Sequence, residues 1–195
     1  MKKQTKRNMR NIYRNCFSYL GRLRNICFVI IFLFLFSFFL GFSFPQIFEK
    51  EIMKYISEIL KRTENLGFIG MFLFIFSNNL STAFLSLIFG LFFGIFSVFI
   101  SMVNGYVLGF VMRKSIEIGG IGTSWKILPH GVFELPAFII SVALGLKLGM
   151  FIFARKKKEY LRDNFENALK VFVYIVLPLL LIAGIIESVL IFLVR

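Results

Sequence analysis

The chain has 195 residues, 58% of them hydrophobic and 18% aromatic, with a mean hydropathy of +0.82. A soluble domain carries about 45–50% apolar residues, so this composition excludes one and indicates a membrane protein, with length for one helical bundle and no separate soluble domain. The formal net charge is +13, but the basic residues flank apolar stretches, which points to anionic lipid headgroups and not to nucleic acid as their partner.

Residues 1–25 form a basic arm with eight Lys/Arg and no acid. Met9, Ile12, Tyr13, Cys16, Leu20 and Leu23 follow helical spacing, with Arg10 and Arg14 on another face. This reads as an amphipathic helix lying on the inner leaflet; a disordered basic tail is the plainer alternative. The arm and the apolar run after it imitate a signal peptide. The run is too long, and no small-x-small cleavage site follows, so it reads as an uncleaved first span.

Residues 26–194 form the membrane bundle, an all-α fold of about five spans, each near the roughly 20 residues that cross a hydrocarbon core. Span one, 26–44, ends at Pro45; rich in Phe, Leu and Ile, it is expected at the lipid-facing periphery. Residues 46–62 read as an outer amphipathic helix, with Ile52, Ile56, Ile59 and Leu60 on one face and Glu58 and Arg62 paired at i,i+4. No charge occurs from Leu66 to Met112. That stretch suits two helices, spans two (66–89) and three (90–112), broken at a tight turn beside Gly90. Span four covers 127–153, preceded by Trp125 as an interfacial anchor. Leu161, Phe165, Ala168, Leu169 and Phe172 carry a helical stripe into span five, 171–194.

The arm and the loop with Arg155, Lys156, Lys157, Lys158, Arg162 and Lys170 fall on one side, which the positive-inside rule makes the cytoplasm. The C-terminus then lies outside. Lys147 snorkels toward the basic loop. Cys16 and Cys27 fall on the reducing side and are expected as free thiols.

Rows of small residues mark helix seams, because in lipid close backbone approach supplies the attraction. One row is Ala137, Ser141, Gly145, Gly149. The other runs Gly90, Gly94, Ser97, Ser101, Gly105, Gly109. They serve contacts within one chain or between copies in a homo-oligomer; a pore lining is the alternative.

The polar centre is the functional candidate. Glu134 in span four and Glu187 in span five lie about seven residues below the outer ends of their spans. Asn104 falls at a similar level, and Asn78 and Asn79 lie deeper. Acids at membrane depth are costly, by about 2.5–3.5 kcal/mol on insertion scales, and mark a functional site or a buried pair. His130 and Glu134, four apart, share a helical face. Pro129 suits the first turn of a helix. Pro136 leaves the carbonyl of Val132 without its donor, which predicts a kink or an unwound turn facing the bundle interior. Three readings stay open. The acids and amides pin the helices together; or they line a conduction or substrate site; or His130, Glu134 and Glu187 act on a metal or as acid and base. The last lacks an HExxH motif and a second histidine, so no metal, cofactor or catalytic residue is assigned.

The succession Asn78-Asn79, Gly90-x3-Gly94, Asn104-Gly105-x3-Gly109, Pro129-His130-Gly131-x2-Glu134-Leu135-Pro136-Ala137, Gly145-x2-Leu148-Gly149 and Leu177-Pro178 through Ala183-x3-Glu187 resembles the stage II sporulation protein M family. The likeness covers roughly residues 28–194. It implies a multi-pass cell-membrane protein. In spore formers the family member works with two cell-wall hydrolases and is thought to organise their complex, with no catalytic activity established. The resemblance therefore implies a non-enzymatic organiser of other envelope membrane proteins. A small transporter or channel component using the Glu/His/Asn site is the alternative.

Overall fold

Backbone polar groups find no partner in hydrocarbon, so each apolar stretch closes its hydrogen bonds on itself as a helix. The computed structural model describes residues 2–92, 94–126 and 128–194, and the side chains of 9–92, 94–123 and 131–193. Among the described residues there are eight α-helices: α1 (Lys2–Arg22), α2 (Arg24–Ser43), α3 (Glu49–Thr63), α4 (Phe68–Ile88), α5 (Ile95–Gly119), α6 (Leu128–Gly149), α7 (Lys157–Val171) and α8 (Leu177–Val194). Among the described residues five helical stretches are long and apolar enough to cross a membrane: α2, α4, α5, α6 and the continuous run of α7 into α8.

Helix α6 is the hub. It packs against α2, α4, α5 and α8, and 50% of its span is buried against 22–28% for the other four. Ala137, Val142, Ala143, Leu144 and Leu148 on it are fully buried. Its small residues permit this. A Cβ on Gly145 would run into the backbone carbonyl of Ser86, and one on Gly90 into the backbone of Gly145.

The second small row packs on α2. A Cβ on Gly105 or Gly109 would meet the carbonyl of Phe34 or of Phe38, and one on Gly41 the carbonyl of Tyr106. Ser37 Oγ donates to the carbonyl of Met102 at 2.6 Å across the same seam. So α2 is not merely peripheral. Phe28, Phe32, Phe36 and Phe39 are exposed on its outer side, while Ser37 and Gly41, two of its few small residues, lie in its most extensive contact, with α5.

The turn between the second and third spans is a 3-10 turn, Phe89–Leu91, and α5 starts later than Gly90, at Ile95. Gly94 has φ 71°, a left-handed conformation that glycine adopts without a Cβ penalty. Helix α5 also outlasts the apolar stretch by seven residues, from Arg113 to Gly119. Arg113 and Lys114 both pair with Glu117, at 2.7 and 3.4 Å, which sustains the extra turns. Lys114 also reaches Glu49 of α3 at 2.7 Å. Tyr106 Oη donates to the carbonyl of Phe44 at 2.6 Å and ties α5 to the end of α2.

Helix α6 runs unbroken through Pro136, whose ring is exposed. The expected unwound turn facing the interior does not form, and the proline lies on the exposed side of the helix. The more marked departure from α geometry lies elsewhere, in a π turn at Phe172–Val176 between α7 and α8. Pro178 cannot donate to the carbonyl of Tyr174, and the widened turn falls on that carbonyl.

The arm is a helix, but it is seated on protein. Cys16, Tyr19 and Leu23 are buried in one cluster with Ala168, Val171 and Phe172. Tyr19 Oη donates to Asn164 Oδ1 of α7 at 2.9 Å, and Tyr13 meets the Tyr174 ring edge-on at 6.1 Å. An apolar stripe that lipid alone was expected to receive is therefore largely covered by α7 and the π turn.

Candidate intramembrane polar site

Three helices bring their inward stripes together here, since α4, α6 and α8 pack pairwise. On α4 the buried stripe is Met71, Ile75, Ala83, Ser86 and Leu87, and Asn79 stands one turn from both Ile75 and Ala83. On α6 it includes Ala137, Phe138 and Ser141, and Glu134 precedes it by one turn. On α8 it is Leu180, Ala183 and Ser188, and Glu187 falls within it.

Asn79 Nδ2 donates to Glu134 Oε2 at 2.7 Å, both side chains being partly buried. This is a direct bond between α4 and α6 formed by two polar groups within apolar helices. A carboxyl oxygen accepts from an amide N–H whether or not the acid carries a proton, so the bond does not require an ionised glutamate. Interhelical bonds of this kind contribute about 0.6 kcal/mol on average and up to about 1.7.

Glu187 is partly buried and engaged within the protein. Beside it, Gly184 faces the ring of Phe72 and the Cβ of Phe76 of α4, and Ser188 Oγ donates to the carbonyl of Gly184 at 2.7 Å. Asn104 turns to its own helix, with Nδ2 on the carbonyl of Ile100 at 2.8 Å. No hydrogen bond joins it to Asn79 or Glu134 among the described residues. Asn78 is exposed on the outer side of α4. The side chains of His130, Pro129 and Trp125 lie outside the described residues. Among the described residues no three His, Cys, Asp or Glu side chains cluster.

Two polar contacts were not legible in the residue pattern. Ser97 Oγ donates to the carbonyl of Ser86 at 2.6 Å, bridging the α4 and α5 ends of the turn. The Tyr19–Asn164 bond clamps α1 to α7. Serine in a small-residue row signals the first. The second carries no signal beyond a tyrosine on the apolar face of an amphipathic arm.

A family model described as stage II sporulation protein M matches residues 29–190. An uncharacterized protein of Methanocaldococcus jannaschii is 31% identical over 157 residues, covering 77% of this chain and 67% of that protein. A second uncharacterized protein of the same organism is 30% identical over 180 residues, covering 82% and 90%. No solved structure matches. The chain belongs to the stage II sporulation protein M family, and it is a multi-pass membrane protein.

Proposed function

We propose that this family member is a non-enzymatic organiser of a membrane complex in the cell envelope, with its polar centre serving to hold helix geometry. The observation that carries the reading is the Asn79–Glu134 bond. The acid at membrane depth meets an amide of a neighbouring helix, as a structural clasp does. In this reading the N-terminus is cytoplasmic and the C-terminus outside. The exposed cations of α1 and α7, among them Arg10, Arg14, Lys157 and Arg162, then meet anionic headgroups of the inner leaflet. The partners are other membrane proteins of the envelope.

The test separates a clasp from a conduit. In proteoliposomes loaded with pH- and cation-sensitive dyes, the full-length protein should show no flux above empty vesicles. Glu134→Gln, which keeps an oxygen to accept from Asn79, should retain thermal stability in detergent, whereas Glu134→Leu should lose it. A proton or cation flux that Glu134→Gln abolishes would overturn the reading in favour of a transporter.

A further inference from the structure

Successive residues on a helix point about 100° apart, so Asn78 and Asn79 are turned to different sides of α4. Asn79 faces Glu134. Asn78 is exposed on the other side of α4, together with Ser77 and Ser81. These three line an open groove of about 570 Å³ that extends past Gly70 to Arg62. Asn78 is the middle residue of the helix Phe68–Ile88, about 15 Å from either end at 1.5 Å per residue. Lipid at that depth offers no hydrogen bond. The Asn78 amide makes none among the described residues, and Thr82 Oγ1 uses the backbone carbonyl of Asn78 and not the side chain.

A comparison with the glycines of the other segments points the same way. A Cβ on Gly41, Gly90, Gly105, Gly109 or Gly145 would strike another segment of this chain. The three atoms nearest to a Cβ on Gly70 all belong to its own neighbour Leu66, at 3.2–3.7 Å. Gly70, Ser77 and Ser81 form a row of small residues at helical spacing, with Ser77 and Ser81 exposed and no other described helix the first to meet a Cβ at Gly70.

We propose that this face of α4 docks a second copy of the chain about a two-fold axis. The amide of Asn78 and the hydroxyls of Ser77 and Ser81 each donate and accept, so the face is complementary to itself. The charges near its mouth agree. Arg62 lines it, Glu58 stands one turn before on α3, and both are exposed; in a two-fold contact that joins Arg62 of one copy to Glu58 of the other, the reverse pair forms as well. Gly70 lets the two α4 backbones approach, and the paired amides are satisfied away from water. This association is separate from the organiser role and holds without any other protein.

The experiment is disulfide trapping of the full-length protein in intact membranes, in a Cys16→Ala, Cys27→Ala background. Ser81→Cys should give an oxidant-dependent adduct of twice the chain mass. Phe32→Cys, on the exposed face of α2, should give none above background. Adding Asn78→Leu or Gly70→Ile to Ser81→Cys should cut the yield by about fivefold or more, while Asn78→Gln should largely preserve it. A Ser81→Cys yield no higher than that of Phe32→Cys would overturn the proposal. So would an adduct of any other mass, which would mean a helix of a different protein occupies the groove. A yield indifferent to both Asn78→Leu and Gly70→Ile would overturn it as well.

Discussion

Gly145 of α6 lies against the backbone carbonyl of Ser86 of α4, with Ser97 Oγ beside it. The neighbour is main chain, held in turn by the 2.6 Å bond from Ser97, so it cannot move aside as a side-chain tip would. Gly145→Ala should therefore destabilise the bundle by overpacking, by about 1–3 kcal/mol. Gly21→Ala is the matched control. Nothing lies within 4 Å of a Cβ there, and the change should be neutral or slightly stabilising, by about 0.5–1 kcal/mol, through helix propensity. Thermal unfolding in detergent reads both. Equal effects at the two positions would mean that the α4–α6 seam is looser than its geometry.

The Asn79–Glu134 bond should appear as a coupling energy. Asn79→Leu and Glu134→Leu each remove one side of this bond, so each should destabilise. The double variant should be less destabilised than their sum, by about 0.6–1.7 kcal/mol. Denaturation of the four proteins in one detergent supplies the cycle. Strict additivity would show that the bond adds nothing to stability.

Much of the fold was legible because lipid imposes it. Uninterrupted apolar length marks a span, and the charge-free stretch from Leu66 to Met112 had to turn, which it does at Phe89–Leu91. What was not legible is rotation about helix axes. Asn78 and Asn79 are neighbours in sequence, yet the first faces outward and the second faces Glu134. Asn104 is turned to its own helix at Ile100 and not to the neighbouring acid. The arm's stripe showed an amphipathic helix without showing whether lipid or protein would cover it, because the burial of Cys16 and Tyr19 depends on where α7 ends.

The docking of that arm should depend on Tyr19. Its hydroxyl bond to Asn164 contributes about 1 kcal/mol, so Tyr19→Phe should loosen α1 while keeping the ring packed. Cys16, buried beside Tyr19 in the same cluster, reports the loosening. In a Cys27→Ala background its maleimide labelling should speed up about fivefold, as 1 kcal/mol of opening implies. Unchanged labelling would place the strength of the contact in the apolar cluster alone.

The same contact should fail in alkali. Burial pushes the Tyr19 phenol above its ordinary value of 10.0, helped by Tyr160 and opposed by Arg22. The group is held neutral in the docked state, and the undocked state releases the proton more readily. A raised folded value therefore gives stability that is fully present below pH 10 and is lost as the pH rises beyond it. Cys16 labelling should thus increase above pH 10 by more than thiolate formation in an undocked Lys2–Arg22 peptide accounts for. The excess should vanish in Tyr19→Phe, which has no phenol to ionise. An excess that persists in Tyr19→Phe would assign the alkaline opening to another group on α1 or α7. The arm would then be held by its apolar cluster, with Tyr19 and Asn164 incidental to its release.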